Sequence, residues 1–149
     1  MSESWMLSFR IEAEPKAQPR PRAFSRGGHA RVYNPDTADA WKAAVVASGA
    51  PKQPKHPFDG AMSVRIIFYM PRPQRLSRKC DPDGALPCTA KPDVDNLAKS
   101  TIDAMTDAGW WCDDAQVAEL HVIKFYAAKA AKPGALVEVH PFPMWPLEV

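Results

Sequence analysis

Long apolar runs are missing from this sequence, and nothing in it approaches the length of a bilayer-spanning helix. Its opening residues, MSESWMLSFR, hold no uninterrupted apolar segment of the kind a secretory leader carries, so a cytoplasmic protein with no membrane partner is expected. Cysteine is scarce. Cys80, Cys88 and Cys112 cannot all pair and form no C-x-x-C, which excludes a disulfide framework. A zinc site built from those three and His121 would match no common zinc module, so they are read as reduced thiols, and His121 as a locally hydrogen-bonded strand residue. There is no internal repeat, no low-complexity tract and no linker, so residues 1–149 are expected to form one domain with a real core. A net charge of only +2 excludes little. Its distribution is more telling, because no acid occurs between Glu14 and Asp36.

That acid-free stretch, PKAQPRPRAFSRGGHARVYN, carries Lys16, Arg20, Arg22, Arg26 and Arg31 interleaved with Phe24 and Tyr33. Prolines keep its first half extended, and Gly27–Gly28 mark a turn suited to a hairpin tip. Most charge runs are solvated loops, yet five uncompensated cations among aromatics also make an arm able to grip phosphates. The remaining pattern alternates strands and helices. Trp5–Glu14 alternates as a first strand with Leu7, Phe9 and Ile11 on one face. Pro35–Ser48 reads as a helix capped by Asn34 and ended by Gly49. Ala61–Met70 is β-branched and aromatic, a central strand with Val64, Ile66 and Phe68 turned one way. Residues 71–90 form a long loop bearing Arg72, Arg75, Arg78 and Lys79. Gln116–Tyr126 is a further strand, Pro133–Gly134 a turn, and Leu136–His140 a short last strand. In the proline-rich tail, Phe142, Met144 and Trp145 are expected to cover the core or a partner subunit. The fold class this implies is α/β (α+β): a mixed sheet with helices packed on one face, in two layers.

The organising stretch is KPDVDNLAKSTIDAMTDAGWWCDD, from Lys91 to Asp114. Pro92 suits a first helical turn. Val94, Leu97, Ala98, Thr101, Ile102, Met105 and Ala108 recur at helical spacing, and Gly109 follows as a C-terminal cap. Asp93 and Asp95 then stand at a helix N-terminus, with Lys99 one turn beyond Asp95. Capping alone accounts for acids in a first turn. It does not account for Asp113–Asp114, placed after the helix and before a strand that could return beside the helix start. Three carboxylates meeting there would repel unless a hard cation lay between them. On spacing alone, the metal site and the structural reading both stand.

The wording K-P-D-V-D-N-L-x-K-x-x-x-D-A, followed by D-D-x-Q-V, resembles the RusA-type Holliday junction resolvases, crossover junction endodeoxyribonucleases. The likeness is dense from Lys91 to about Lys124 and looser through Q-P-R-P-R and Tyr33–Asn34–Pro35. The longer N-terminal arm, the cysteines near the site and the proline-rich tail depart from the family pattern. The resemblance implies a magnesium-dependent nuclease, with manganese as a possible substitute. Asp93, Asp95 and Asp114 would be its metal ligands, and Lys99 its catalytic lysine. Lys16, Arg20, Arg22, Arg26, Arg31, Arg72, Arg75, Arg78, Lys79, Lys91 and Asn96 are the expected contacts to branched DNA. Asp113 is the weaker member of its pair. Two nicks on symmetry-related strands imply a homodimer. Two other classes remain open: another metal-dependent nuclease or phosphodiesterase, and a module that binds branched DNA without cutting it.

Overall fold

Alternating apolar residues build the sheet. Phe9 and Ile11 of β1 (Leu7–Ile11), Val64, Ile66 and Phe68 of β4 (Met62–Met70), and Val137 and Val139 of β7 (Gly134–Pro141) are buried in one cluster. Their neighbours along each strand, such as Arg10, Arg65 and Glu138, turn to the other face. The computed structural model describes residues 6–33 and 36–142. With β5 (Leu86–Pro87) and β6 (Val117–Tyr126), these strands form a five-stranded sheet in the order β1-β7-β4-β6-β5. Only β4 and β6 run parallel; the other neighbours are antiparallel. A parallel pair needs a long crossover, and α2 (Val94–Ala108) lies in it. A separate two-stranded ribbon pairs β2 (Arg22–Arg26) with β3 (His29–Tyr33). The class is therefore the expected one, mixed α/β with β4 at the centre.

Helices α1 (Asp39–Gly49) and α2 share the apolar face of the sheet. Trp41 of α1 is buried, lies 6.2 Å from the Phe68 ring, and donates its Nε1–H to Thr101 Oγ1 at 3.1 Å, fastening one helix to the other. Trp110 stacks on Phe9 at 5.3 Å. Trp41, Trp110 and Trp111 are all fully buried, and truncating any of them would cost about 3–5 kcal/mol. Gly49 ends α1 as expected, but for a packing reason. A Cβ there would meet the Trp110 and Phe9 rings at 3.1–3.3 Å.

Several boundaries differ from the sequence pattern. The first strand is shorter than Trp5–Glu14, and α1 starts at Asp39, after Ala38, with no side-chain cap. Trp5, the expected cap Asn34, Pro35, Met144 and Trp145 lie outside the described residues. Phe142 is half-buried and donates its N–H to Ala61 O. The last strand begins at Gly134 rather than after it. A side chain at this position would overlap the Ile11 carbonyl, and glycine lets the ladder continue as far as Tyr69. The long loop is ordered by a 3-10 turn at Gln74–Leu76 and by β5.

Candidate active site

The start of α2 departs from the expected arrangement in two ways. Pro92 precedes the helix, after a cis peptide bond, so it occupies no helical turn. Asp93 stands at the N-cap, yet its carboxylate caps nothing. Both its oxygens accept from Lys91 Nζ, at 2.6 and 2.8 Å. That bond, with the nearby charges of Lys91, Lys124 and Arg20, holds the Asp93 carboxyl below the usual carboxylate range despite partial burial. Asp95 is exposed and takes the Asn96 N–H at 2.9 Å. From β6, Lys124 Nζ donates to the carbonyls of Ala90 and Pro92 at 2.6 and 2.7 Å, pinning the loop that delivers Asp93. Val94, counted with the apolar stripe, is 38% exposed.

The far end of α2 closes on Gly109, whose left-handed φ of 95° lets its N–H reach the carbonyls of Met105 and Thr106. The following turn carries Asp113 and Asp114. Gln116 holds this turn through one amide group. Its Oε1 accepts the N–H groups of Cys112 and Asp113 at 2.8 and 3.1 Å, and its Nε2 donates to the carbonyls of Phe58 and Gly60 at 2.9 and 3.0 Å. Asp113 completes the cap by accepting the Ala115 N–H at 2.8 Å, a bond that lowers its pKa. Asp113 is thus a structural cap, and Asp114 is left exposed.

Asp95, Lys99, Asp103 and Asp114 face one cleft of about 280 Å³, walled by Ile102 and Leu120. Lys99 Nζ lies 3.5 Å from Asp103 Oδ1, so its ion pair is with Asp103, one turn further along α2. Asp93 lines a different cavity of about 580 Å³, with Cys88, Val94, Ile123 and Lys124. Asp95 and Asp114 thus face the first cleft, and Asp93 faces the second. Among the described residues no three His, Cys, Asp or Glu side chains gather closely enough to hold a metal. Lys91 compensates Asp93 locally, and its hydrogen bond is the main reason the Asp93 carboxyl is lowered.

The candidate DNA contacts also divide. Lys16 pairs with Glu14 at 3.1 Å. The arm is fastened to α2 by Gln18 N–H to Asn96 O (3.0 Å) and Ser100 Oγ to Lys16 O (2.5 Å), which brings Arg20 toward Asp93. Arg22, Arg26 and Arg31 are exposed on the ribbon, and no ion pair engages them among the described residues. In the loop, Arg72 donates to the carbonyls of Leu76, Pro82 and Gly84, which ties its guanidinium to the loop backbone. Arg78 pairs with Asp81, and Arg75 lies beside the Tyr126 hydroxyl, whose pKa burial raises. Lys79 is exposed. His121 pairs locally with Glu119 at 3.0 Å, and all three cysteines are free. Sequence reasoning assigned nothing to Asp103, Gln116 or Lys124. For Lys124 a signal existed, because it is a lysine on the alternate set Leu120, Val122 and Tyr126, where an apolar residue belongs.

Comparison with known proteins bears on the whole arrangement. The family model described as Endodeoxyribonuclease RusA matches residues 12–140, which include the arm, both clefts and the Asp113–Asp114 turn. The chain belongs to the RusA family. Within reach of this family, it is 32% identical over 126 residues to the uncharacterized protein YqaN of Bacillus subtilis, covering 81% of this chain and 88% of that one. It is 43% identical over 47 residues to crossover junction endodeoxyribonuclease RusA of Escherichia coli K12 and to its counterpart in Enterobacteria phage 82. Those matches cover 32% of this chain and 39% of each RusA enzyme. No helix among the described residues is long and apolar enough to cross a membrane.

Proposed function

We propose that this chain is a divalent-cation-dependent endonuclease that cuts four-way DNA junctions by paired nicks, serving recombination and repair in the cytoplasm. The observation that carries this reading is the cleft shared by Asp95, Lys99, Asp103 and Asp114, next to a helix start where Asp93 sits among Arg20, Lys91 and Lys124. Acids set among cations and open to solvent suit a phosphodiester that must be both held and attacked. The names of the RusA relatives supply the junction as substrate.

The donors in the cleft are carboxylate oxygens, which suit magnesium or manganese. Magnesium commonly keeps several waters and takes one or two carboxylates together with substrate phosphate. Asp95 and Asp114 fit that demand, and Asp93 belongs to the set as the ligand whose Lys91 partner a cation would replace. When bound, the cation would neutralise phosphate charge and acidify a nearby water. Lys99 would balance charge developing on the phosphate or the leaving oxygen, and Asp103 holds its ammonium group. Asn96 would orient a water or phosphate. Arg20, Arg22, Arg26, Arg31, Lys79 and Lys91 would grip the backbone and so recognise shape more than sequence. A two-fold homodimer would present two such sites for the paired nicks.

Asp95→Asn and Asp114→Asn are each expected to slow junction cleavage in magnesium by roughly a thousandfold while leaving junction binding in calcium intact. A normal rate for either variant removes that residue from the set. Junction, flap, linear duplex and nucleotide substrates, run side by side, distinguish a resolvase from another phosphodiesterase. Tight junction binding with no product under any divalent cation would make the chain a binding module. Light scattering on the active sample should give the mass of a dimer; an active monomer would refute paired cutting by one particle.

A further inference from the structure

The ribbon β2–β3 has two unlike faces. In its register Phe24 lies opposite Arg31 and Arg26 opposite His29, while Ala23 lies opposite Val32 and Ser25 opposite Ala30. Side chains alternate along a strand. One face therefore gathers Arg22, Phe24, Arg26, His29 and Arg31, and the other carries only small or apolar residues without charge. Phe24, Arg26, His29 and Arg31 line a cleft of about 330 Å³, and Phe24 is 43% exposed. A purely electrostatic grip would have no use for an aromatic ring at the centre of the cationic face. A strand of nucleic acid with an unpaired base would use both, stacking the base on the ring while arginines meet the flanking phosphates. A solvated loop would have no reason to segregate its residues in this way.

We infer that the cationic face of the β2–β3 ribbon is a binding subsite for unpaired nucleotides, with Phe24 as the stacking platform and Arg26 and Arg31 as the phosphate contacts. The proposed function enters only in naming the polymer as DNA and the unpaired bases as those at a branch point. The ribbon leaves the body of the protein two residues after Arg20, which lies near Asp93. Five residues of strand extend about 17 Å, or about five base steps along DNA. The subsite would thus set a fixed distance between opened bases and the cutting centre.

Affinities of the full chain, measured in calcium, for a single-stranded oligonucleotide, a linear duplex and a four-way junction test this subsite. Phe24→Ala and Phe24→Leu are expected to weaken single-strand binding about tenfold, with duplex binding changed less than about twofold, and Phe24→Trp to retain or improve it. Leucine keeps the apolar volume without the π face, so its loss reads stacking rather than folding. Equal losses on single strand and duplex, or no loss on the single strand, would overturn the inference. The wild-type preference for junction over duplex is read in the same titrations. Its absence would defeat the resolvase reading while leaving the single-strand result to decide the ribbon.

Discussion

The arm from Lys16 to Arg31 carries five cations among prolines, and the loop from Arg72 to Lys79 carries four; in sequence the two read alike. In the structure they use their charges differently. Prolines and a 3-10 turn leave the loop with carbonyls that its own backbone does not satisfy. Arg72 answers three of them, and Lys129 reaches the carbonyls of Arg78 and Asp81 at 2.7 and 2.5 Å from the other side. In the arm, the ribbon's own ladder pairs its backbone, so Arg22, Arg26 and Arg31 point into solvent. A cation near DNA is available to it only where the local backbone has no prior claim, and backbone claims follow from donor-poor loops.

The largest effect expected from this contrast is on stability. Arg72→Ala removes three charge-assisted bonds, one of them partly buried and two exposed, which should cost about 2 kcal/mol and lower Tm by roughly 6 °C. The salt dependence of junction binding should not move. An unchanged Tm with a flatter salt slope would place Arg72 with the arm. Next, the Arg22→Ala, Arg26→Ala double variant should flatten the slope of log affinity against log salt by about two units and leave Tm nearly unchanged. A stability loss with an unchanged slope would mean that these arginines serve structure, as Arg72 does. The smallest effect concerns Asp81, whose carboxyl is lowered from 3.8, chiefly by the Arg78 backbone N–H. A lowered carboxylate contributes stability above its unfolded pKa and loses it as pH falls through the folded value. Wild type and Asp81→Asn should therefore differ slightly in Tm at pH 7 and converge on acidification below 3.8. A gap that persists or widens in acid would show that Asp81 acts through something other than its charge.

Periodic features were the legible ones. The alternation through Val64, Ile66 and Phe68 placed the central strand, and the spacing of Leu97, Thr101 and Met105 placed α2 and its Gly109 stop, because burial of one face imposes a period on the chain. The motif brought Asp95, Lys99 and Asp114 to attention, and all three face one cleft. What stayed hidden was the partner each long side chain would find. Lys91 takes up Asp93 across two residues, Lys124 reaches carbonyls more than thirty residues away, and Arg72 folds back on its own loop. Each depends on where a long flexible side chain finds an unpaired acceptor, which is settled only once the backbone is folded. The beginning of α1 was misplaced for a related reason. Its N-cap is Ala38, with no polar side chain to mark it.

The single amide of Gln116 has a consequence in time as well as space. Because it spans Cys112 and Asp113 on one side and Phe58 and Gly60 on the other, the turn bearing Asp114 cannot open without releasing the segment before β4. The buried Trp110 and Trp111 lie in the same connection, with Phe58 N–H bonded to Trp110 O at 2.8 Å. In hydrogen exchange the amides of Cys112, Asp113 and Phe58 should therefore exchange as one unit, through a large opening shared with the core. The ribbon, whose residues are all exposed on β2, should exchange far sooner and independently. The turn that carries Asp114 would be slow and the ribbon fast, although both belong to one small chain.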